Sequence, residues 1–311
     1  MIMLAFIAFL FFLGLGFDTF YLGEAGGVVP VGSLGALALG SVSALASYYN
    51  GDRAVLMAAH AQPIADVAAT AGDDEKLKFR QLENVVDEMA IAAGVPRPPV
   101  YIVPDPDPNA FATGRGPGHA SIAVTRGLLN ALDREELQGV VAHEMSHIRN
   151  LDIRVMTIVA ALVGGVALLS DWARRGMAWG GGRRRDDDRE GGGGIAGIVF
   201  FVVWLIAIAI APLMAQALAM MVSRRREYLA DASGAELTRN PMGLARALEK
   251  IDAAVAPTQA IGQGSAHLCI ADPLGRSANL REEGFWSDLF ASHPPMAARI
   301  AALKQMAFQG R

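Results

Sequence analysis

The chain has 311 residues, 52% of them hydrophobic, with a mean hydropathy of +0.31 and a formal net charge of -4. This apolar share is higher than that of an ordinary soluble domain and predicts membrane segments. Lys and Arg do not concentrate on any candidate helix, which argues against nucleic acid as a partner, and Cys269 as the only cysteine excludes an intrachain disulfide.

The N-terminal region predicts a membrane hairpin spanning residues 1–53. Residues 1–17 carry no charge, and a second uncharged run extends from residue 25 to residue 51. No Lys or Arg precedes the first run, so we expect an uncleaved anchor rather than a signal peptide. The connecting loop also has no Lys or Arg, whereas Arg53 and further basic residues follow the second run. The positive-inside rule therefore predicts that the downstream domain faces the cytoplasm.

A small sheet is predicted after an amphipathic helix at residues 73–94. Residues 99–103 and 119–125 have the composition and alternation of strands. Between them, a short edge strand would offer unpaired backbone groups to an extended peptide substrate, although a plain turn is the other interpretation. The residues of this candidate substrate edge are Asn109, Ala110, Phe111 and Ala112.

The strongest chemical motif is H-E-M-S-H, in which His143 and His147 are four residues apart. A helix is predicted here because Asp133 and Glu136 form a capping-box pattern before apolar residues at helical spacing. On a helix both imidazoles leave the same face and can bind one zinc ion. Zinc lowers the pKa of a bound water, and Glu144 can act as the general base. This is the chemistry of peptide hydrolysis.

A third ligand must come from elsewhere, because Asn150 and Ile153 stand where a metzincin has Gly and His. Glu227 and Asp231 are also four residues apart, just after the apolar run 195–222. One carboxylate can complete a His/His/Glu zinc site, and the other can hydrogen-bond a ligand imidazole. An acidic pair behind three arginines is also typical of a solvated helix face.

A second membrane hairpin, residues 153–222, follows if Glu227 is to reach the two histidines. The chain must then cross the membrane an even number of times, so the short apolar run 155–170 crosses as well as 195–222, giving four spans. The Gly/Arg/Asp-rich loop 176–194 would lie outside, against the positive-inside rule. We let the zinc geometry take precedence.

Several motifs in a fixed order resemble those of the HtpX-type membrane zinc metalloproteases, relatives of the CaaX-processing proteases. Together with the two N-terminal apolar runs and the later membrane hairpin, these motifs cover nearly the whole chain. The motifs are NAFATG at 109–114, HEMSH at 143–147, REYLAD at 226–231 and SHPP at 292–295.

The resemblance implies a mainly α fold with a small β-sheet, in which a zincin-like catalytic domain is fused to about four transmembrane helices. The catalytic domain would be formed by residues 73–152 and 223–311. Similar proteases lie in the bacterial cell inner membrane, face the cytoplasm and degrade misfolded or damaged membrane proteins. We therefore expect unfolded or membrane proteins as substrates, the lipid bilayer as surroundings, and no nucleic-acid partner.

The resemblance also implies roles for individual residues. One Zn²⁺ per chain would be bound by His143, His147 and Glu227. Glu144 would be the catalytic base, Asp231 would support a ligand, and His293 would lie near the site as a second catalytic group that helps stabilise the oxyanion. Residues 109–112 would form the substrate-side edge.

Two alternative functions were weighed. An intramembrane metalloprotease would place the metal helix in lipid, but charged residues such as Asp133, Arg134, Arg149 and Asp152 bracket the motif and are costly at bilayer depth. A non-catalytic scaffold or holdase with a structural zinc would normally close the site with four protein ligands and would not need Glu144. An endopeptidase is the function that the sequence favours.

Overall fold

The structure, a computed structural model, describes residues 2–18, 31–160, 224–254, 268–271 and 294–309. The chain divides into two compact units, Met1–Tyr48 with Leu162–Leu218, and Tyr49–Ala161 with Ala219–Arg311. Four sequence-based predictions fall wholly or largely outside the described residues. These are the span at 155–170 beyond residue 160, the loop at 176–194, the span at 195–222, and His293.

The described part of the first unit consists of apolar helices. Helix α1 (Ile2–Phe17) has 16 residues, fewer than the roughly 20 that a membrane span needs, and α2 (Val31–Ala58) has 28. Asp18 follows α1 and accepts hydrogen bonds from the backbone N–H groups of Gly32 and Ser33, at 2.6 and 2.7 Å. It thereby satisfies donors at the start of α2. Within the described residues, α2 is the one helix long and apolar enough to cross a membrane.

The second unit contains a four-stranded mixed sheet in the order β1-β2-β4-β3. Its strands are β1 (Gln62–Pro63), β2 (Val100–Val103), β3 (Ala110–Gly114) and β4 (Ala120–Thr125). β2 and β4 are parallel, whereas β1 and β3 pair antiparallel with their neighbours. The two predicted strands are confirmed as β2 and β4, and β3 lies at an edge of the sheet.

Helices surround the sheet and make the fold mainly α, as predicted. Before the metal motif come α3 (Ile64–Thr70), α4 (Asp73–Ala93), the 3₁₀ turn Pro117–His119 and α5 (Arg126–Ala131). The motif lies on α6 (Arg134–Arg149), and residues 152–160 are helical again. The tail contributes α7 (Arg224–Thr238), α8 (Pro241–Asp252) and α9 (Met296–Gln309).

Local sequence signals fix the ends of two of these helices. The predicted capping box is confirmed, because the backbone N–H of Glu136 donates to Asp133 and the backbone N–H of Asp133 donates to Glu136. α4 ends at Gly94, whose φ of 68° is left-handed, as in the common glycine C-cap. The capping box therefore fixes the start of the metal helix through residues that are neighbours in the sequence.

The core of the second unit forms where α6 packs against α4, α7, α8 and the sheet. Val140, Met145 and Ile148 of α6 are completely buried in a cluster that includes Leu82 and Ile122. The close approach of the helices depends on glycine at two contacts. A Cβ on Gly139 would lie 2.7 Å from the backbone nitrogen of Leu244, and one on Gly234 would lie 3.1 Å from that of His143.

Candidate metal centre

The two motif histidines lie together on the buried face of α6. The Nε2 atoms of His143 and His147 are 3.2 Å apart, and the two rings are perpendicular. Both side chains are almost fully buried because α7 and the core cover this face. The helical spacing expected from the sequence therefore directs two imidazole nitrogens at one point.

Glu227, in the first turn of α7, brings a carboxylate to the same point. Its Oε2 is 3.8 Å from Nε2 of His143, and its Oε1 is 3.5 Å from Nε2 of His147. One ligand atom from each of the three residues lies within 4.8 Å of the others. Ligands about 2.0–2.1 Å from a tetrahedral zinc are about 3.3 Å from one another, so this donor set fits zinc in number, type and spacing.

Each histidine has a carboxylate at its other ring nitrogen. Nδ1 of His143 lies 3.0 Å from Oδ1 of Asp231, and Nδ1 of His147 lies 3.2 Å from Oδ2 of Asp152. The His147 contact is a hydrogen bond that keeps the proton on Nδ1 and leaves the Nε2 lone pair for a metal, and the charge of the Asp231 carboxylate favours the same tautomer of His143. The sequence predicted Asp231 but missed Asp152. A possible signal was its position immediately after α6, since Leu151 has a φ of 63° and turns the chain back towards the site.

Arg299 of α9 is the largest fully buried side chain among the described residues, and sequence reasoning missed it as well. Its guanidinium donates two hydrogen bonds to Asp231, at 2.8 and 2.7 Å, and one to the carbonyl of Ile270, at 2.8 Å. Nη1 also lies 3.5 Å from Oε2 of Glu227. The available signal was an arginine one helical turn before the buried Leu303, on the apolar face of a helix.

Glu144 is buried beside the three candidate ligands, in the surroundings expected of a proton acceptor. It is 1% exposed, it receives a hydrogen bond from the backbone of Ala112, and its Oε1 has no hydrogen-bond partner among the described residues. Burial raises the pKa of Glu144 to about 7, with Glu227 adding to the rise while His147 opposes it. A carboxylate with a pKa near neutrality can both accept and return a proton.

The electrostatics of the site favour a positive charge at His147 but not at His143. Burial acts to lower the pKa of His147, but the hydrogen bond to Asp152 and the charges of Glu227 and Glu144 raise it to about 9. The pKa of His143 is lowered, chiefly by burial and despite Asp231. A proton or a divalent cation would neutralise part of the negative charge of these carboxylates.

The candidate substrate edge is partly covered by the chain itself. Residues 109–112 were expected to offer unpaired backbone groups. The backbone N–H of Ile270 instead donates to the carbonyl of Ala110 at 3.0 Å, and Phe111 forms a β-bridge with Cys269. The side chain of Asn109 donates to the carbonyl of Ala271 at 3.1 Å. Cys269 is buried in this contact.

The outward-facing N–H groups of β3 are also engaged. The N–H of Ala110 donates to the side-chain oxygen of Asn109, that of Ala112 bonds Glu144, and that of Gly114 donates to the hydroxyl of Thr157 at 2.9 Å. The middle of the strand therefore faces Glu144, while both ends are held by other parts of the chain. His293 lies outside the described residues.

Comparisons with known proteins agree with this arrangement of motifs. The family model described as Peptidase family M48 matches residues 76–307. A protein named Protease HtpX homolog from Caldanaerobacter subterraneus subsp. tengcongensis is 48% identical over 243 residues, which cover 78% of this chain and 77% of that protein. Another with the same name, from Streptococcus thermophilus, is 41% identical over 306 residues, covering 98% and 95%.

The fold is also similar to a solved structure, the crystal structure of S. mikatae Ste24p. The TM-score is 0.50 at 20% sequence identity. The match covers 96% of this chain but 62% of the Ste24p chain, which is less than two thirds of it. At this identity the likeness concerns the fold.

Proposed function

The chain belongs to peptidase family M48, as the resemblance to HtpX-type proteases led us to expect, and we propose that it is a membrane-integrated zinc endopeptidase. The observation that carries this proposal is the convergence of His143, His147 and Glu227 on one buried point. Glu144 on the same helix supplies a base with a pKa of about 7. A closed structural site would have no use for that carboxylate.

In the proposed reaction, His143, His147 and Glu227 would hold one zinc ion between them. When bound, zinc supplies a water of lowered pKa and polarises the carbonyl of the scissile peptide bond. Glu144 accepts the proton of the attacking water at its carboxylate and returns it to the leaving amine. Burial of Glu144 favours this exchange, because it brings the pKa of the carboxyl group to about 7, close to neutral pH.

The supporting residues fix the ligands. Asp231 and Asp152 hold the two imidazoles through Nδ1, and the guanidinium of Arg299 holds Asp231 in turn. Because Arg299 also lies near Glu227, the third ligand is held by the same group. His293, outside the described residues, remains our prediction for the group that helps stabilise the oxyanion.

We propose that an extended substrate binds at the middle of β3, next to Ala112. This position lies beside Glu144 and between the two held ends of the strand. Backbone pairing would then involve few substrate residues, which suits a protease acting on many different sequences. Misfolded or damaged membrane proteins are the substrate class that we propose, with Ala112 as the substrate-side contact.

We further propose a multi-pass location in the bacterial inner membrane, with the site facing the cytoplasm. The support is the long apolar helix α2, the basic residues that follow its membrane part, and the charged termini of α6. The even number of crossings between the metal helix and Glu227 gives the expected four spans.

The decisive experiment compares the wild type with Glu144→Gln, both purified in detergent at measured full zinc occupancy. Cleavage of an unfolded casein substrate is followed by mass spectrometry. We expect cleavage by the wild type and none by Glu144→Gln, which keeps its zinc. The control is Glu135→Gln, which removes the same charge from an exposed position on the same helix.

Two other results would count against the proposal. Equal cleavage by wild type and Glu144→Gln would show that another group performs the chemistry. Zinc binding without cleavage by either protein would support the scaffold or holdase.

A further inference from the structure

We propose that Asp152 and Arg226 act as a pair that positions His147, so that the second metal-binding imidazole is held by the two stretches of chain that flank residues 161–223. The inference deepens the proposed function, since it takes His147 to be a zinc ligand. It assigns both residues a role in the site.

The geometry gives Asp152 two partners through two different oxygens. Oδ2 lies 3.2 Å from Nδ1 of His147, and Oδ1 lies 3.2 Å from Nη1 of Arg226. Asp152 is 6% exposed, whereas the side chain of Arg226 is 38% exposed. The carboxylate is therefore withdrawn from water, and the arginine compensates its charge from the rim of the site.

The backbone explains why this aspartate reaches the histidine. α6 ends at Arg149, Leu151 adopts a left-handed φ of 63°, and Asp152 begins the next helical stretch. A carboxylate at a helix start is favoured by the helix dipole. The turn at Leu151 therefore returns Asp152 to the imidazole one turn earlier in the chain.

Arg226 enters from the opposite direction along the sequence. It directly precedes Glu227 on α7, so one turn of this helix supplies both the proposed third ligand and the partner of Asp152. Any shift of the start of α7 would move both groups together. Through Asp152 the same shift would also reach His147, so all three would change position as one set.

A similar arrangement holds the other histidine, in which Arg299 binds Asp231 and Asp231 contacts His143. Both imidazoles thus have an aspartate at Nδ1 that is paired with an arginine. Outer partners of metal-binding histidines typically change metal affinity by about 10- to 100-fold when they are lost. The partly exposed Arg226 should contribute less than the aspartate that it pairs with.

The test measures zinc affinity by competition with a chelator, and the absorption spectrum of the Co²⁺-substituted full-length protein in detergent. Asp152→Asn keeps a polar group that can cap the helix but removes the charge. We expect its zinc affinity to fall by about tenfold and the Co²⁺ bands to shift. Arg226→Gln should lower zinc affinity by about two- to fivefold, and Arg226→Lys should restore most of it.

The pairing itself predicts non-additivity. Once Asp152 is Asn, the further change Arg226→Gln should have little effect on zinc affinity. Arg239→Gln is the control, because it removes the same charge from an exposed position just after the end of α7. The melting temperature of the metal-free proteins separates loss of positioning from loss of folding. If Asp152→Asn does not fold, Arg226→Gln and Arg226→Lys still give the comparison.

Unchanged zinc affinity and an unchanged Co²⁺ spectrum in Asp152→Asn would overturn the inference. Additive losses in the double variant would overturn the pairing. Neither readout requires cleavage of a substrate. Failure of the proposed peptidase function, which the comparison of cleavage by the wild type and Glu144→Gln would reveal, is therefore distinguishable from failure of this inference.

Discussion

The two halves of the candidate metal centre use the same groups in different surroundings. On one side, His143, Asp231 and Arg299 are almost completely removed from water. On the other, His147 and Asp152 are buried, but Arg226 is partly exposed. Contact distances alone therefore do not show which aspartate–arginine pair stabilises its histidine more. The free energy of an ion pair also depends on how far its charges are desolvated.

The largest effect is expected where the two halves share a group. Glu227→Ala removes the carboxylate that faces both Nε2 atoms, so zinc content should fall from one per chain to less than about one tenth. Metal analysis of the purified protein measures this directly. Glu236→Ala, at an exposed position of the same helix, should keep its zinc. Full zinc in Glu227→Ala would refute the ligand assignment and remove the point at which the two halves meet.

The buried half should be the more sensitive to loss of its arginine. Arg299→Met leaves Asp231 buried without its partner and should lower the free energy of unfolding by about 3–5 kcal/mol. Denaturant unfolding in detergent measures this. Adding Asp231→Asn should recover part of the loss, because Asp231 is then no longer a buried charge without its arginine.

The matched control for Arg299 is Arg97→Met, which breaks exposed ion pairs with Glu83 and Asp87 and should cost at most about 1 kcal/mol. Equal costs for the two arginines would show that burial does not separate the halves as argued. A double variant less stable than Arg299→Met would contradict the proposed relief of Asp231.

Loss of Asp231 should weaken zinc binding more than loss of Asp152, because Asp231 belongs to the more deeply buried half of the site. Burial acts to raise the pKa of Asp231, but the charge and hydrogen bonds of Arg299 lower it to about 2, so this carboxylate remains ionised beside His143. We expect Asp231→Asn to weaken zinc binding towards the upper end of the range of about 10- to 100-fold, and Asp152→Asn towards the lower end. Chelator competition on both proteins gives the ratio. A larger loss for Asp152→Asn would reverse the ranking of the halves.

Much of this arrangement followed from the sequence, and the remainder did not for a physical reason. The spacing of His143 and His147, and the capping box of α6, depend on residues within a few positions of one another. Asp152 and Arg299 act only because α7, α9 and the turn at Leu151 bring distant parts of the chain together. Local periodicity contains no information about such contacts. The signal that the sequence offers for Arg299 is an arginine on the apolar face of a helix.

The sheet gives the same lesson. The alternation of residues predicted β2 and β4, whereas the motif at 109–114 was compatible with either an edge strand or a plain turn. That Ile270 would pair with Ala110 could not be predicted, because residues 268–271 are four residues of an unpatterned tail. Long-range pairing of so short a segment depends on partners such as Arg299, which binds the carbonyl of Ile270.

Two glycines test whether the approach of α7 is what assembles the halves. Gly234→Ala would place a Cβ 3.1 Å from the backbone nitrogen of His143, and Gly139→Ala would place one 2.7 Å from that of Leu244. Each should cost about 1–3 kcal/mol of stability, Gly139→Ala the more because its contact is tighter. Only Gly234→Ala should also weaken zinc binding, since it displaces the helix that presents Glu227. Equal zinc affinity in the two variants would contradict this.

The smallest effect concerns β3, whose two ends are held by the two halves. Arg299 binds the carbonyl of Ile270, which pairs with Ala110, whereas Thr157, on the helical stretch that Asp152 begins, binds the N–H of Gly114. Thr157→Val should cost about 1 kcal/mol and leave zinc affinity unchanged, because the lost hydrogen bonds lie beyond the ligands.

The same substitution frees the N–H of Gly114 to pair with substrate. In peptides cut by the wild type, backbone N-methylation should impair cleavage at few positions around the scissile bond. In the Thr157→Val enzyme, N-methylation should impair cleavage at one further position, on one side of the scissile bond. An unchanged pattern would show that the hydroxyl of Thr157 does not limit the pairing of substrate with β3. The half of the site that contains Asp152 and Arg226 would then affect metal binding but not substrate pairing.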